Sequence, residues 1–197
     1  ILIREDWQHQ APAVEIPAGA PIDPALLVPF HRPIAVEFVD TRGPDGLFRK
    51  YRCLVAGDHA ISVHLIAARD WEVRGDNKVA SPDLLAEEAR FIAGPDRDQA
   101  LFRQARAIMG FDLVAFDYSR FPDGRLVVWE TNPHPFVRFG ERAPGLRYRD
   151  EAVHRIYGAM TGLYLERAGL DVPGAIEVLR RYGAPNTERL LALLAIP

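Results

Sequence analysis

Two carboxylates, Asp117 and Glu130, interrupt the most strand-like stretch of this chain, and hairpin geometry decides where they point. Phe111–Ser119 and Arg125–Thr131 are rich in aromatic and β-branched residues. They flank Phe121-Pro122-Asp123-Gly124, whose proline and glycine favour a turn, so two antiparallel strands are expected. A two-residue Asp123-Gly124 turn would set Asp117 opposite Glu130. Pro122 lacks the N–H that the flanking pair of such a turn needs. A four-residue loop is therefore favoured, with Arg120 opposite Arg125, Asp117 opposite Val128 and Glu130 on the diagonal. Either register leaves both carboxylates on one face, with Asn132 two residues further along it. Like charges at that spacing repel unless a cation neutralises them. Mg²⁺, which takes carboxylate, amide, water and phosphate oxygens, suits the set. The alternative is a pair of surface carboxylates on a solvated strand face; the buried look of the surrounding strand favours the metal.

The rest of the chain reads as α+β, with a mainly antiparallel sheet flanked by helices rather than a doubly wound one. Residues 1–5 form a short strand, and Val14–Ile16 a brief edge strand. Six prolines between Pro12 and Pro33 keep that stretch extended or looped. Ile34–Val39 reads as a buried strand, and Tyr51–Ala56 with Ala60–Ala67 as a hairpin turning at Gly57-Asp58. Ser81 followed by Pro82 opens a helix over 83–92, which Gly94-Pro95 ends. Asp96 is expected to cap a helix over 97–109, which Gly110 closes. The C-terminal tail is helical, over 150–168, 173–182 and 186–195. Its apolar spacing at Ile156, Met160, Leu163 and Tyr164 serves core packing or a homo-oligomer surface.

Charge and composition exclude several partners. A net charge of −3, without clustered positive residues, argues against nucleic acid. No apolar run approaches the ~18 residues of a membrane span. The single cysteine, Cys53, excludes an intrachain disulfide and fits a cytoplasmic setting; it reads as a small buried hydrophobe. Of 24 basic residues only Lys50 and Lys78 are lysines, so roles that call for lysine fall to these two or to arginine. Both read as solvated, although a lysine beside an anionic site invites a test. His134, between two prolines, reads as packed in a rigid turn. Trp71–Arg74 reads either as substrate-facing or as a strand. The chain opens Ile-Leu-Ile-Arg, without initiator Met or signal-peptide pattern, and is expected to be the C-terminal part of a larger enzyme.

The block IMGFDLVAFDYSRFPDGRLVVWETNPHP resembles the metal-binding end of the ATP-grasp superfamily: helix, Gly, strand, Asp, turn, strand, Glu-x-Asn-x-x-Pro. KYRCLVAGDHAISVH resembles the strand-turn-strand that precedes it there, and AVEFV stands where the adenine-contacting connector lies. The nearest likeness is to ligases that join amino acids to carboxylate ends, and it spans about residues 33–137. On this resemblance 1–32 is a Pro-rich lid remnant, 33–140 an ATP-grasp-like core and 141–197 a helical extension.

The resemblance implies that Asp117, Glu130 and Asn132 bind Mg²⁺ or Mn²⁺. Glu37, Phe38 and Val39 would contact adenine and Asp40 the ribose of ATP. Arg52 would bind phosphate or an acyl phosphate, and Arg4 would replace the lid lysine. His64 and Arg74 would face substrate. The implied activity is an ATP-dependent ligation of a small-molecule or peptide carboxylate to an amine through an acyl phosphate. A phosphotransferase on the same scaffold, or a nucleotide-binding or structural domain without turnover, are the alternatives. No glycine-rich lid loop accompanies Arg4, and no glycine follows Asn132 in Pro133-His134-Pro135-Phe136.

Overall fold

The computed structural model describes residues 1–6, 13–137, 146 and 148–183. The chain divides into two compact units, Ile1–Asp40 and Thr41–Pro197. The first holds three antiparallel strands, β1 (Leu2–Glu5), β2 (Val14–Glu15) and β3 (Pro33–Val36), in the order β2-β1-β3. Glu5 is buried in this unit because its carboxylate accepts the backbone N–H groups of His31 and Arg32, each at 2.8 Å. The proline-rich stretch contains one helical turn, Pro24–Leu27, opened by the Asp23 carboxylate accepting the Ala25 N–H. The strand expected over Ile34–Val39 is shorter than its sequence suggests, and its residues are exposed or half-buried. The cause is its place at the edge of a three-stranded sheet, where neither face is fully covered.

The second unit is built on a four-stranded antiparallel sheet of β4 (Phe48–Ala56), β5 (His59–Ala68), β6 (Leu113–Arg120) and β7 (Leu126–Asn132). The strand order is β5-β4-β6-β7, so both hairpins expected from the sequence form and pair through β4 and β6. Gly57 takes φ +55° in the tight β4–β5 turn, a conformation that favours glycine. Helices α1 (Pro82–Ala93), α2 (Gln99–Met109), α3 (Tyr148–Arg167) and α4 (Gly174–Tyr182) complete the unit. Ser81 caps α1 by accepting the Leu84 N–H, and Gly110 ends α2 in the left-handed region. The helix expected over 186–195 lies outside the described residues. Among those described, no helix is long and apolar enough to cross a membrane.

Strand alternation sorts the core into two layers. Leu54, Ala56 and Ala115 face one side, against Ile92 of α1 and Ala152, Ile156 and Ala159 of α3. Cys53, Val55, Val114, Phe116 and Tyr118 face the other, against Phe102 of α2. The outer edge of β5 is closed by α1, whose Glu88 accepts the Leu65 N–H. The opposite edge is open: Val128 and Trp129 of β7 are 41% and 46% exposed, which corrects the expectation of a buried second strand.

Asp96 lies two residues before the N-cap position of α2, which Asp98 holds, and its Oδ1 accepts the Asp98 N–H at 2.7 Å. Its carboxylate is fully buried, accepts the Tyr118 hydroxyl, and pairs with Arg120 at 2.6 Å. Asp98 occupies the cap position and shares Arg120 at 2.9 Å.

Helices α3 and α4 meet through glycine. A Cβ on Gly158 would stand 2.6 Å from the Arg180 backbone nitrogen and 2.8 Å from the Leu179 carbonyl carbon. Backbone cannot yield locally, so Gly158→Ala is expected to destabilise the fold by about 2 kcal/mol. A lowered urea midpoint at unchanged m-value would register this.

Candidate functional site

The structure lines up four polar side chains across the four strands. Arg52 on β4 pairs in register with His64 on β5 and with Asp117 on β6, and Asp117 pairs with Glu130 on β7. Directly opposed residues share a face, so His64, Arg52, Asp117 and Glu130 form one row. Lys50 lies on the same face of β4, and Asn132 follows Glu130 opposite Ala115.

Two β-bulges create this row. From the β4–β5 turn the pairing runs through Cys53 opposite Ser62 and would next set Arg52 opposite Val63; the shift between Arg52 and Cys53 leaves Val63 extra and sets His64 there instead. From the β6–β7 turn the pairing runs through Tyr118 opposite Val128 and would next set Asp117 opposite Trp129; the shift leaves Trp129 extra and sets Glu130 there. A one-residue slip reverses the face of every later side chain. Without the bulges, His64 and Glu130 would point away from Arg52 and Asp117. The Trp129 indole N–H donates to Ser119 Oγ at 2.7 Å, which anchors the second bulge. The turn itself is longer than expected, because Arg120 pairs with Leu126 and leaves 121–125 as the loop.

The electrostatics of the row are balanced. Arg52 Nε and Nη2 donate to the two oxygens of Asp117 at 2.5 and 2.7 Å, a bidentate fork. Lys50 Nζ stands 3.8 Å from Asp117 Oδ2. Asp117 is buried whereas Glu130 is exposed. The Asp117 hydrogen bonds, and more weakly the Glu130 charge, raise the Arg52 pKa, so it stays charged at every relevant pH. Burial first, and the Arg52 charge second, hold the His64 imidazole down at about 3; Asp117 opposes this, while Lys50 and Arg149 add to it. His64 is therefore neutral at neutral pH.

Asp117, Glu130 and Asn132 offer hard oxygen donors only, which fits Mg²⁺ or Mn²⁺ better than a soft metal. Asn132 Oδ1 accepts the His134 N–H at 2.8 Å, leaving one lone pair for another partner. This turn is the part His134 plays at the site. Among the described residues no three His, Cys, Asp or Glu side chains gather as a metal group, so an ion here would draw on the amide and on oxygens brought by a ligand.

Arg4 lies on β1, opposite Ile34, and Glu37, Phe38, Val39 and Asp40 follow β3; all belong to the first unit. Arg74 pairs with Glu72 and takes its backbone contact from Asn77 within the irregular segment after β5, where no strand forms over Trp71–Arg74. Lys50 is half-buried at the row rather than solvated; its place two residues before Arg52 on a strand was the signal for it. Buried Glu88 and half-buried Arg149, paired at 2.5 Å beside His64's strand, had no signal in their helical sequence context. Compared with protein-family models and with curated protein sequences, the chain matches none.

Two outcomes follow from this geometry. Asp117→Asn leaves Arg52 and Lys50 with only the weaker charge of Glu130 to offset them and is expected to lower stability by about 2 kcal/mol. The loss stays below that of a sealed pair because 23% of the Arg52 side chain remains exposed; urea melts measure it. His64, with a folded pKa near 3 against an ordinary 6.5, takes up its proton more readily unfolded than folded. Stability therefore falls as pH drops between those values. In His64→Gln the difference in urea midpoint between about pH 7 and about pH 4.5 should shrink.

Proposed function

We propose that this chain carries the nucleotide- and metal-handling site of an ATP-dependent carboxylate–amine ligase of ATP-grasp type. The observation that carries this reading is the bulge-built row, with Arg52 forked onto Asp117 beside an exposed Glu130 and Asn132. In such a reaction a carboxylate oxygen bonds to the γ-phosphorus of ATP and ADP leaves. An amine nitrogen then bonds to the acyl carbon, phosphate leaves, and the amine gives up a proton. A bound divalent cation would neutralise phosphate charge, held by Asp117, Glu130 and Asn132.

The chain's own groups have separate parts in this scheme. Asp117 takes the Nε–Nη2 edge of Arg52 and fixes the guanidinium plane, which leaves the Nη1 and outer Nη2 hydrogens to bind phosphate or acyl-phosphate oxygens. Lys50 adds a second positive charge on the same face. Glu130, exposed at the sheet edge, is the carboxylate with room to meet an incoming ligand. Cys53 is fully buried and takes no part. A reducing cytoplasm suits a chain with this lone thiol.

Calorimetric titration of the chain with ATP, with and without Mg²⁺, tests the reading. Glu130→Gln removes a carboxylate on an exposed face, so the thermal unfolding midpoint should hold. The Mg²⁺-dependent part of ATP binding should weaken by about tenfold or more. Identical ATP affinity with and without Mg²⁺, or an unaltered Glu130→Gln variant, would overturn it.

A further inference from the structure

Beside the row, two adjoining cavities of about 230 and 290 Å³ open between β5, the segment that follows it, α1 and α3. They share Ile66, Lys78 and Arg149, so they are two compartments of one depression. Their chemistry differs. The smaller is bordered by His64, Lys78 and Arg149. The larger is walled by Val79, Ala80, Leu84, Leu85 and Leu146.

The charges of this depression do not cancel. Among the described lining residues Glu88 is the one acid, and it is already saturated: Leu65 N–H, the Tyr148 hydroxyl and Arg149 all donate to it. That pairing offsets Arg149 alone. The Arg149 Nε–H is buried without a hydrogen-bond partner. Lys78 is exposed, and no ion pair to it occurs among the described residues. His64 is neutral and adds no charge. Among the described residues the surplus is one positive charge, at the junction with an apolar compartment.

We propose that this depression binds a carboxylic acid with a bulky apolar substituent. The carboxylate lies beside Lys78 and Arg149 and answers the surplus charge. The substituent fills the compartment walled by Leu84, Leu85 and Val79. A small carboxylate would leave that compartment wet, and an uncharged amide would leave Lys78 unmatched. The anionic end sits next to His64, the terminal member of the row, one residue across from Arg52. Only in assigning this ligand as the acyl acceptor does the inference rest on the ligase reading.

The test is binding by calorimetry to the full chain, without nucleotide or metal, of hydrocinnamate, hydrocinnamamide and acetate. Hydrocinnamate should bind about tenfold or more tightly than either of the others. Lys78→Gln, an exposed change, should weaken hydrocinnamate several-fold and leave the amide unaffected. Ala80→Phe, which fills the apolar compartment, should abolish the preference over acetate. Equal affinity for the acid and its amide, no effect of Lys78→Gln, or no saturable binding would overturn the inference. Because ATP and Mg²⁺ are absent, such a failure is separate from failure of the Mg²⁺–ATP titration.

Discussion

The Arg52–Asp117 pair is the interaction on which the second unit's arrangement turns. Asp117 lies in the interior of β6, an inner strand of the sheet flanked by β4 and β7, and is buried. An ionised carboxylate there is costly unless it is both paired and hydrogen-bonded. Arg52 supplies both through its fork, and it can do so only when β4 and β6 pair in one register. The pair thus adds little net stability over an apolar alternative but penalises slipped pairings heavily, which is the way a buried polar contact specifies structure. It also holds a permanently charged guanidinium in a fixed plane at the sheet surface.

The opposite face repeats the device with different parts. Tyr118, one residue after Asp117, points to the α2 side and donates to the buried carboxylate of Asp96. Arg120 closes this cluster, lying over the rings of Tyr51 and Tyr118 at 4.8 and 5.3 Å while pairing with Asp96 and Asp98. Phe102 stacks on Phe116 and contacts Tyr118, so the approach to α2 is locked to the sheet by aromatic packing and by a charged clasp. Successive residues of one strand therefore anchor both layers. The candidate site stands on a rigid element gripped from behind, as a site that must hold charges in register requires.

The two bulges show how close the sequence pattern came to misleading. A perfectly alternating reading of 113–132 keeps Asp117 and Glu130 on one face only for turns of even length. The actual loop, 121–125, is odd, and the extra residue Trp129 restores the shared face. Nothing in the residue types at 128–130 marks Trp129 as the extra one; its indole reaching Ser119 is a tertiary fact. The same holds for Val63 on β5. Asp96 illustrates the converse. Its position before a helix reads as a cap, and local spacing cannot reveal a buried tyrosine hydroxyl and an arginine more than 20 residues away in the chain.

Local chemistry determined the elements. Gly57-Asp58, Ser81-Pro82, Gly110 and Pro122-Asp123-Gly124 each constrain a few dihedral angles, so hairpins and helix ends could be read from neighbouring residues alone. The α+β class follows from those local rules, whereas the placing of Glu130 opposite Asp117 needed the bulge at Trp129. Tertiary structure decided what depends on distant partners: which edge of the sheet is closed, that β7 is open, and that His64 joins Arg52. It also placed Lys50 within reach of a buried carboxylate and gathered Lys78, Arg149 and Glu88 around one depression. The physical reason is that register and burial are set by the sum of contacts across strands and helices, and those contacts join residues whose separation along the chain carries no periodic signal.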